Sequence, residues 1–108
     1  MRTKLIFLFI FFFALSIMSA VASELTVTKA TVGCKNREDK DKLTGFSVDG
    51  DTEAFKKFAM AHILVGDCVL MNEGDVAFLE DTAIFSGLVC IRPKGETDCF
   101  WSEIERSK

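Results

Sequence analysis

Four cysteines constrain the fold of this chain more than any other feature. They are Cys34, Cys68, Cys90 and Cys99 of a 108-residue sequence. Their spacings are long and uneven, and none of them forms a C-x-x-C pair. An even number of cysteines in a small exported domain is typical of a disulfide framework, whereas zinc sites use closely spaced ligand pairs. We therefore expect two disulfides, no metal site and no cofactor.

The N-terminal segment is typical of a secretory signal peptide. Residues 1–4 form a short head with two basic side chains, residues 5–18 are almost wholly apolar, and residues 19–22 are small. This layout predicts cleavage after Ala22. The alternative is an uncleaved membrane anchor, but the apolar run is shorter than the ~20 residues that a spanning helix needs. We expect a signal peptide over 1–22 and a single small disulfide-stapled domain over 23–108.

The charge balance narrows the range of partners. Removal of the signal peptide takes away Arg2 and Lys4, so 11 of the 13 basic residues remain against all 16 acidic ones, and the formal charge becomes −5 instead of −3. Nucleic acids and anionic membranes attract proteins with clustered lysine and arginine. We therefore expect a periplasmic or secreted monomer with no nucleic acid partner and no stable membrane insertion after cleavage.

The C-terminal third predicts a β-hairpin. Residues 88–92 and 97–101 are rich in apolar, β-branched and aromatic side chains, and the four residues between them have the composition of a turn. A four-residue loop would place Cys90 directly opposite Cys99. A three-residue loop with Gly95 in a bulge would shift the register by one residue and turn the two cysteines to opposite faces.

Two of the possible disulfides are favoured. Of the three ways to pair the four cysteines, we favour Cys90 with Cys99 across the hairpin and Cys34 with Cys68. The entropy of closing these loops corresponds to about 3 and about 4 kcal/mol. A core of this size supplies only ~3 to 5 kcal/mol by itself. The disulfides are therefore expected to be required for folding.

Two helices are predicted in the first half of the domain. Asn36 precedes a short helix over residues 37–44, which Gly45 is placed to end. Asp51 precedes a stronger helix over residues 52–65. The apolar face of that helix carries Phe55, Phe58, Ala59, His62 and Ile63.

The remaining segments predict short antiparallel strands. Residues 25–34 form a kinked strand, and residues 67–71 and 76–80 form two more, joined by a hairpin turn over 72–75. Residues 102–108 are polar and are expected to fray. The predicted fold is α+β, with a small antiparallel sheet of about five strands and two short helices inserted after the first strand.

The spacing of glycine, apolar and aromatic positions in these strands resembles a known family. It is similar to that of small bacterial SH3-like domains and of small uncharacterised exported bacterial proteins. The resemblance rests on Gly66 to Leu70, Glu73 to Val76, Gly87 to Val89, Arg92 and Phe100-Trp101. It implies a partly closed SH3-like barrel that binds a peptide, glycan or protein. It transfers no binding residue to a position of this chain.

Few residues are candidates for chemistry or binding. His62, the only histidine, is expected at the edge of the core instead of acting as a general base, because the sequence indicates no carboxylate partner or nucleophile for it. Phe100 and Trp101 point to opposite faces of their strand, so one is expected in the core and the other exposed. With Arg92 and Lys94 they form the candidate binding patch.

These observations predict a function without catalysis. We expect a secreted or periplasmic binding module that recognises a protein or cell-envelope ligand and is not an enzyme. The alternative is an inhibitor of an extracellular enzyme, of the lysozyme or protease type, that presents Lys94 on the rigid turn over residues 93–96. A small hydrolase is the least favoured hypothesis.

Overall fold

The structure, a computed structural model, describes residues 24–108 and has the predicted α+β fold. The predicted signal peptide, residues 1–22, lies outside the described residues. The elements in chain order are β1 (Glu24–Thr26), β2 (Thr31–Cys34), α1 (Arg37–Val48), α2 (Thr52–Leu64), β3 (Cys68–Met71), β4 (Val76–Ala83), β5 (Leu88–Pro93) and β6 (Phe100–Glu103). Short 3-10 helices cover Ile84–Ser86 and Ile104–Arg106. Within residues 24–108, no helix is long and apolar enough to cross a membrane.

All six strands belong to one antiparallel sheet in the order β1-β4-β5-β6-β2-β3. β1 and β2 follow each other in the chain, yet three strands separate them in the sheet. The five steps from Thr26 to Thr31 span at most about 18 Å. Four strand spacings in a flat sheet amount to about 19 Å. The sheet must therefore curl to bring β1 back towards β2, although it stays open.

The turn over residues 72–75 does not join a hairpin, which corrects the prediction. β3 pairs with β2, and β4 pairs with β1 and β5. The kink after β1 causes this arrangement, because Val27 N donates to Asp75 O and Gly74 N donates to Val27 O, both at 2.8 Å. The predicted single strand over residues 25–34 is thus two strands, of which β1 pairs with β4 before the kink and β2 pairs with β3 after it.

The C-terminal residues are held in place, contrary to the expectation that they fray. Thr26 and Lys108 exchange two backbone hydrogen bonds of 2.9 Å. Val27 forms an isolated bridge with Ser107. The polar composition of residues 102–108 predicted fraying, but backbone groups pair whatever the side chain, and β1 leaves a free edge for them.

Two apolar clusters form the core, one on each face of the sheet. The first lies on the side away from the helices and consists of Val27, Met71, Ala77, Val89 and Ile91. The second lies between β2, β3 and the helices and consists of Val32, Cys34, Leu43, Ala59 and Cys68, with Phe55 and Phe58 packed against it. The helices are therefore attached to only one part of the sheet.

Both predicted helix starts are confirmed. The Asn36 side chain accepts a hydrogen bond from Glu38 N at 2.8 Å, and the Asp51 side chain accepts one from Ala54 N at 3.0 Å. The first helix does not end at Gly45 as predicted but continues to Val48. Its extra turn is stabilised by packing, since the Phe46 ring meets the Phe58 ring edge-on at 6.0 Å.

Both predicted disulfides are present, Cys34–Cys68 and Cys90–Cys99, and no described cysteine is free. The predicted hairpin register is wrong, however, because Trp101 and not Cys99 lies opposite Cys90. The difference is two residues, so Cys99 stays on the same face as Cys90. Cys99 lies just before β6, which lets the two Cα atoms approach to 5.3 Å.

Removing the two disulfides separately should show that the longer loop matters more. The Cys34–Cys68 bond closes a separation of 34 residues and the Cys90–Cys99 bond one of 9. Loop entropy predicts a loss of about 4 kcal/mol for the double alanine variant of the first pair and about 3 kcal/mol for the second. Urea unfolding of both variants beside the native protein measures the difference. Equal losses, or a larger loss for the second pair, would contradict the loop argument.

A pair of glycine-to-alanine substitutions should change stability in opposite directions. A Cβ at Gly33 would lie 3.0 Å from Phe100 Cβ and 3.3 Å from Trp101 O, so G33A should destabilise by about 1 to 3 kcal/mol through overpacking. A Cβ at Gly45, inside α1, would meet nothing within 4 Å. G45A should therefore stabilise by up to about 1 kcal/mol, because alanine is the better helix former. Thermal unfolding of the two variants is the measurement.

Candidate functional site

The four residues of the predicted binding patch do not all lie on the surface. Phe100 is buried, with 3% of its surface exposed, on the face away from the helices, so it contributes nothing to a surface patch. Arg92 lies over the Phe78 ring at 4.8 Å and pairs with Glu80 Oε2 at 3.0 Å. Lys94 is exposed in the turn. Of the two adjacent aromatic residues, Trp101 is therefore the partly exposed one.

Trp101 lies between the two disulfides in a row that crosses the sheet. Its directly opposite residues are Cys90 on β5 and Cys34 on β2, and Cys34 is in turn opposite Cys68 on β3. Opposite residues of an antiparallel pair share one face. We call Cys68, Cys34, Trp101 and Cys90 the disulfide row. The residues opposite Trp101 on both neighbouring strands are thus disulfide-bonded cysteines.

An exposed surface adjoins the indole ring. The Arg37 guanidinium lies 5.4 Å from the centre of the Trp101 ring. Two open clefts of about 440 and 340 Å³ share Arg37 and Ser86 as lining residues, the first reaching Trp101 and the second reaching Ile84 and Phe85. We call Arg37, Ile84, Phe85, Ser86 and Trp101 the Trp101 surface.

The apolar end of the Trp101 surface, Ile84 and Phe85, is exposed, and hydrogen bonds hold the backbone of its turn. Phe85 is fully exposed and Ile84 is 70% exposed. Gly87 has φ of 68°, which suits glycine, and its N–H donates to Ile84 O at 3.0 Å. Gly87 O accepts from Ile104 N at 2.9 Å. These bonds tie the turn to the end of β6.

A second candidate is an apolar groove with a buried ion pair. The groove, of about 400 Å³, lies between α1 and the β2–β3 edge, and its apolar lining includes Leu43, Val48, Phe55 and Leu70. At its base, the buried Lys40 Nζ donates to Val32 O and to Glu103 Oε1, both at 2.7 Å.

The ion pair holds Glu103 in its charged form. Burial by itself would raise the pKa of the Glu103 carboxyl. The hydrogen bonds from Lys40 Nζ and Thr31 Oγ1, the second at 2.7 Å, together with the Lys40 charge, outweigh burial and hold that pKa below its ordinary value of 4.5. The groove thus has an apolar wall and a base whose charges are already paired.

A third candidate surrounds His62. Its Nδ1 lies 3.6 Å from Asp39 Oδ2 and 3.6 Å from Asp67 Oδ2, and its ring stacks on Phe58 at 4.1 Å. The sequence indicated no carboxylate partner for this histidine, and in that respect the prediction is wrong. The favoured Cys34–Cys68 pairing could have found the cluster, because it brings residues 35–39 beside residues 62–67.

Comparison with known proteins assigns neither a family nor a function to this chain. No protein-family model, no curated protein and no solved structure matches this chain. The resemblance to SH3-like exported proteins therefore stays a prediction. Function has to be inferred from the residues that this chain brings together.

Replacing Glu103 by glutamine should flatten the acid dependence of stability. Because the pKa of the folded carboxyl lies below that of the unfolded one, its stabilising contribution is complete above the unfolded value of 4.5 and is lost as the pH falls towards the lower folded pKa. E103Q also leaves the buried Lys40 charge without its counter-charge. This should lower the free energy of unfolding by about 3 kcal/mol near neutral pH.

The measurement is the free energy of unfolding of native protein and E103Q from pH 7 to pH 3. The difference between them should shrink below pH 4.5. E105Q, a change of the same kind at an exposed neighbouring position, serves as the control. Native and E103Q curves that stay parallel throughout would contradict a paired Glu103.

Proposed function

We propose that this protein is an exported, non-catalytic binding module that recognises a protein through the Trp101 surface. The observation that carries the proposal is Phe85, a large apolar side chain that is fully exposed on a turn. Exposed single apolar residues are common, but this one adjoins the exposed Ile84 and lines a cleft that shares Arg37 and Ser86 with a second cleft, and the second cleft reaches Trp101. Aromatic residues at such positions are typical anchors of protein interfaces.

The rigidity of the turn favours binding. Its ends are held by the Gly87–Ile84 and Ile104–Gly87 hydrogen bonds. A backbone that is already ordered loses little conformational entropy when a partner binds. Phe85 can therefore enter an apolar pocket of a partner without any rearrangement of the turn.

Arg37 defines the polar part of the expected partner. Among the described residues its guanidinium forms no ion pair, and it lies beside the Trp101 ring. Arginine next to an aromatic ring is enriched in interfaces, where it pairs with carboxylates. The expected partner surface is an apolar pocket with an acidic rim, which favours a protein over a cell-envelope glycan as the ligand.

Export is part of the proposal. The predicted signal peptide and the two disulfides suit a periplasmic or extracellular protein, since disulfides persist in oxidising compartments. A partner is accordingly expected in the same compartment.

A second candidate function is inhibition of an extracellular enzyme through the turn over residues 93–96. The Cys90–Cys99 bond flanks this turn, Glu96 N donates to Pro93 O at 2.9 Å, and Lys94 N donates to Val76 O at 2.9 Å. The exposed Lys94 side chain is thus presented on a fixed loop, as inhibitory loops require.

Replacing Phe85 by alanine should abolish most of the binding without changing the fold. The native protein is used to capture a partner from periplasmic or extracellular fluid, and affinities are then measured with the purified partner. We expect F85A to lower the affinity about 30-fold or more, as for an interface anchor, and to shift stability by less than about 0.5 kcal/mol.

Two further variants separate the candidate surfaces. L64A truncates another exposed apolar residue, 84% exposed at the end of α2, and should leave the affinity unchanged. K94A should weaken binding only if the partner is an enzyme held by the turn over residues 93–96. A partner that binds F85A as well as it binds the native protein would refute the Trp101 surface, and substrate turnover abolished by H62A would refute a non-catalytic role.

A further inference from the structure

We propose that Asp39, His62 and Asp67 bind a divalent first-row transition metal ion, with Zn²⁺ as the ion that best suits these donors. Each residue offers one ligand atom, and the three atoms lie within 4.8 Å of one another. The site goes beyond the proposed recognition of a protein and lies at the junction of α1, α2 and β3.

The distances suit a shared ion better than a hydrogen bond. Both carboxylate oxygens are 3.6 Å from His62 Nδ1, whereas an N–H···O bond is about 2.7 to 3.2 Å long. Two ligands that are each about 2.0 to 2.2 Å from one Zn²⁺ ion lie at most about 4.4 Å apart. An ion among the three side chains would therefore need only small adjustments of the two aspartates.

The histidine nitrogen itself points to a missing partner. His62 Nδ1 is sealed from solvent and has no hydrogen-bond partner among the described residues. A buried polar atom without a partner costs about 1 to 3 kcal/mol. Stacking on Phe58 at 4.1 Å fixes the ring so that Nδ1 faces the two carboxylates. A bound ion would satisfy this nitrogen directly.

The backbone positions the ligands before any ion binds. Asp67 N donates to His62 O at 2.9 Å, and Asp67 O accepts from Lys35 N at 2.8 Å. The Cys34–Cys68 disulfide adjoins both of these segments. Asp39 lies in the first turn of α1, whose start is fixed by the Asn36 cap. The three ligands come from separate elements that are already joined, which lowers the entropy lost on metal binding.

The donor set selects the kind of metal. One imidazole and two carboxylates suit Zn²⁺ and its first-row neighbours, whereas Ca²⁺ requires six to eight oxygen ligands. The Asp67 side chain is 52% exposed, so water can complete the coordination. The competing explanation is a protonated His62 that forms ion pairs with both aspartates and binds no metal.

A titration that observes His62 directly distinguishes the two explanations. His62 is the only histidine, so its ring nitrogens give a single set of signals in long-range ¹H–¹⁵N spectra of tag-free, oxidised protein. After treatment with EDTA, ZnCl₂ is added while calorimetry measures stoichiometry and affinity. We expect one equivalent to bind and to shift the Nδ1 signal, whereas Ca²⁺ and Mg²⁺ should leave it unchanged.

Matched variants locate the ion. D39N, D67N and H62Q should each weaken Zn²⁺ binding at least about tenfold, as expected for loss of a ligand. D41N removes an exposed charge from the same helix and should leave the affinity within about twofold. Native-like spectra of D67N, an exposed position, confirm that its fold is retained. An Nδ1 signal that does not move in tenfold excess Zn²⁺, or that moves equally in D39N and D67N, overturns the proposal.

Discussion

The disulfide row is the constraint on which the rest of the structure depends. It joins four adjacent strands, β5, β6, β2 and β3, and carries Trp101 at its centre. The helices pack on the same face as the row, at the Cys34–Cys68 end, where these two residues belong to the apolar cluster beneath α1 and α2. A domain of this size supplies little stability from its core alone. The two disulfides therefore cross-link β2 to β3 beneath the helices and β5 to the segment just before β6, close to Trp101.

All three candidate sites lie beside this row, which explains how so small a domain positions them. The Trp101 surface forms where the start of α1 meets β6, and the His62 cluster forms where Cys34 and Cys68 hold the ends of both helices beside β3. The Lys40–Glu103 pair joins α1 to β6 in the same layer. Each site uses side chains from elements that are distant in sequence.

The three sites differ in how far their central side chains are exposed to solvent. Phe85 is exposed on a fixed turn, a position that adds nothing to the core and is suited to a partner. Lys40 is the opposite case, since its charge is buried and fully engaged by a carbonyl and a carboxylate. His62 is intermediate, because its ring is packed against Phe58 while Nδ1 lacks a hydrogen-bond partner among residues 24–108. The proposed recognition and the proposed metal binding thus involve different parts of one surface layer.

The sequence by itself determined the α+β class, the number of disulfides, the two helix starts and the opposite orientations of Phe100 and Trp101, because each follows from local periodicity, capping or an even cysteine count. The cysteine pairing was one of three possibilities, and the hairpin register that favoured Cys90–Cys99 differs from the observed one. Only the tertiary structure decided strand order and register. The kink at Val27 pairs β1 with β4, and a two-residue shift places Trp101 opposite Cys90. The tertiary structure also decided which of the two aromatic rings is buried and that two aspartates flank His62. These contacts join distant segments and depend on strand pairing, which local sequence patterns do not specify.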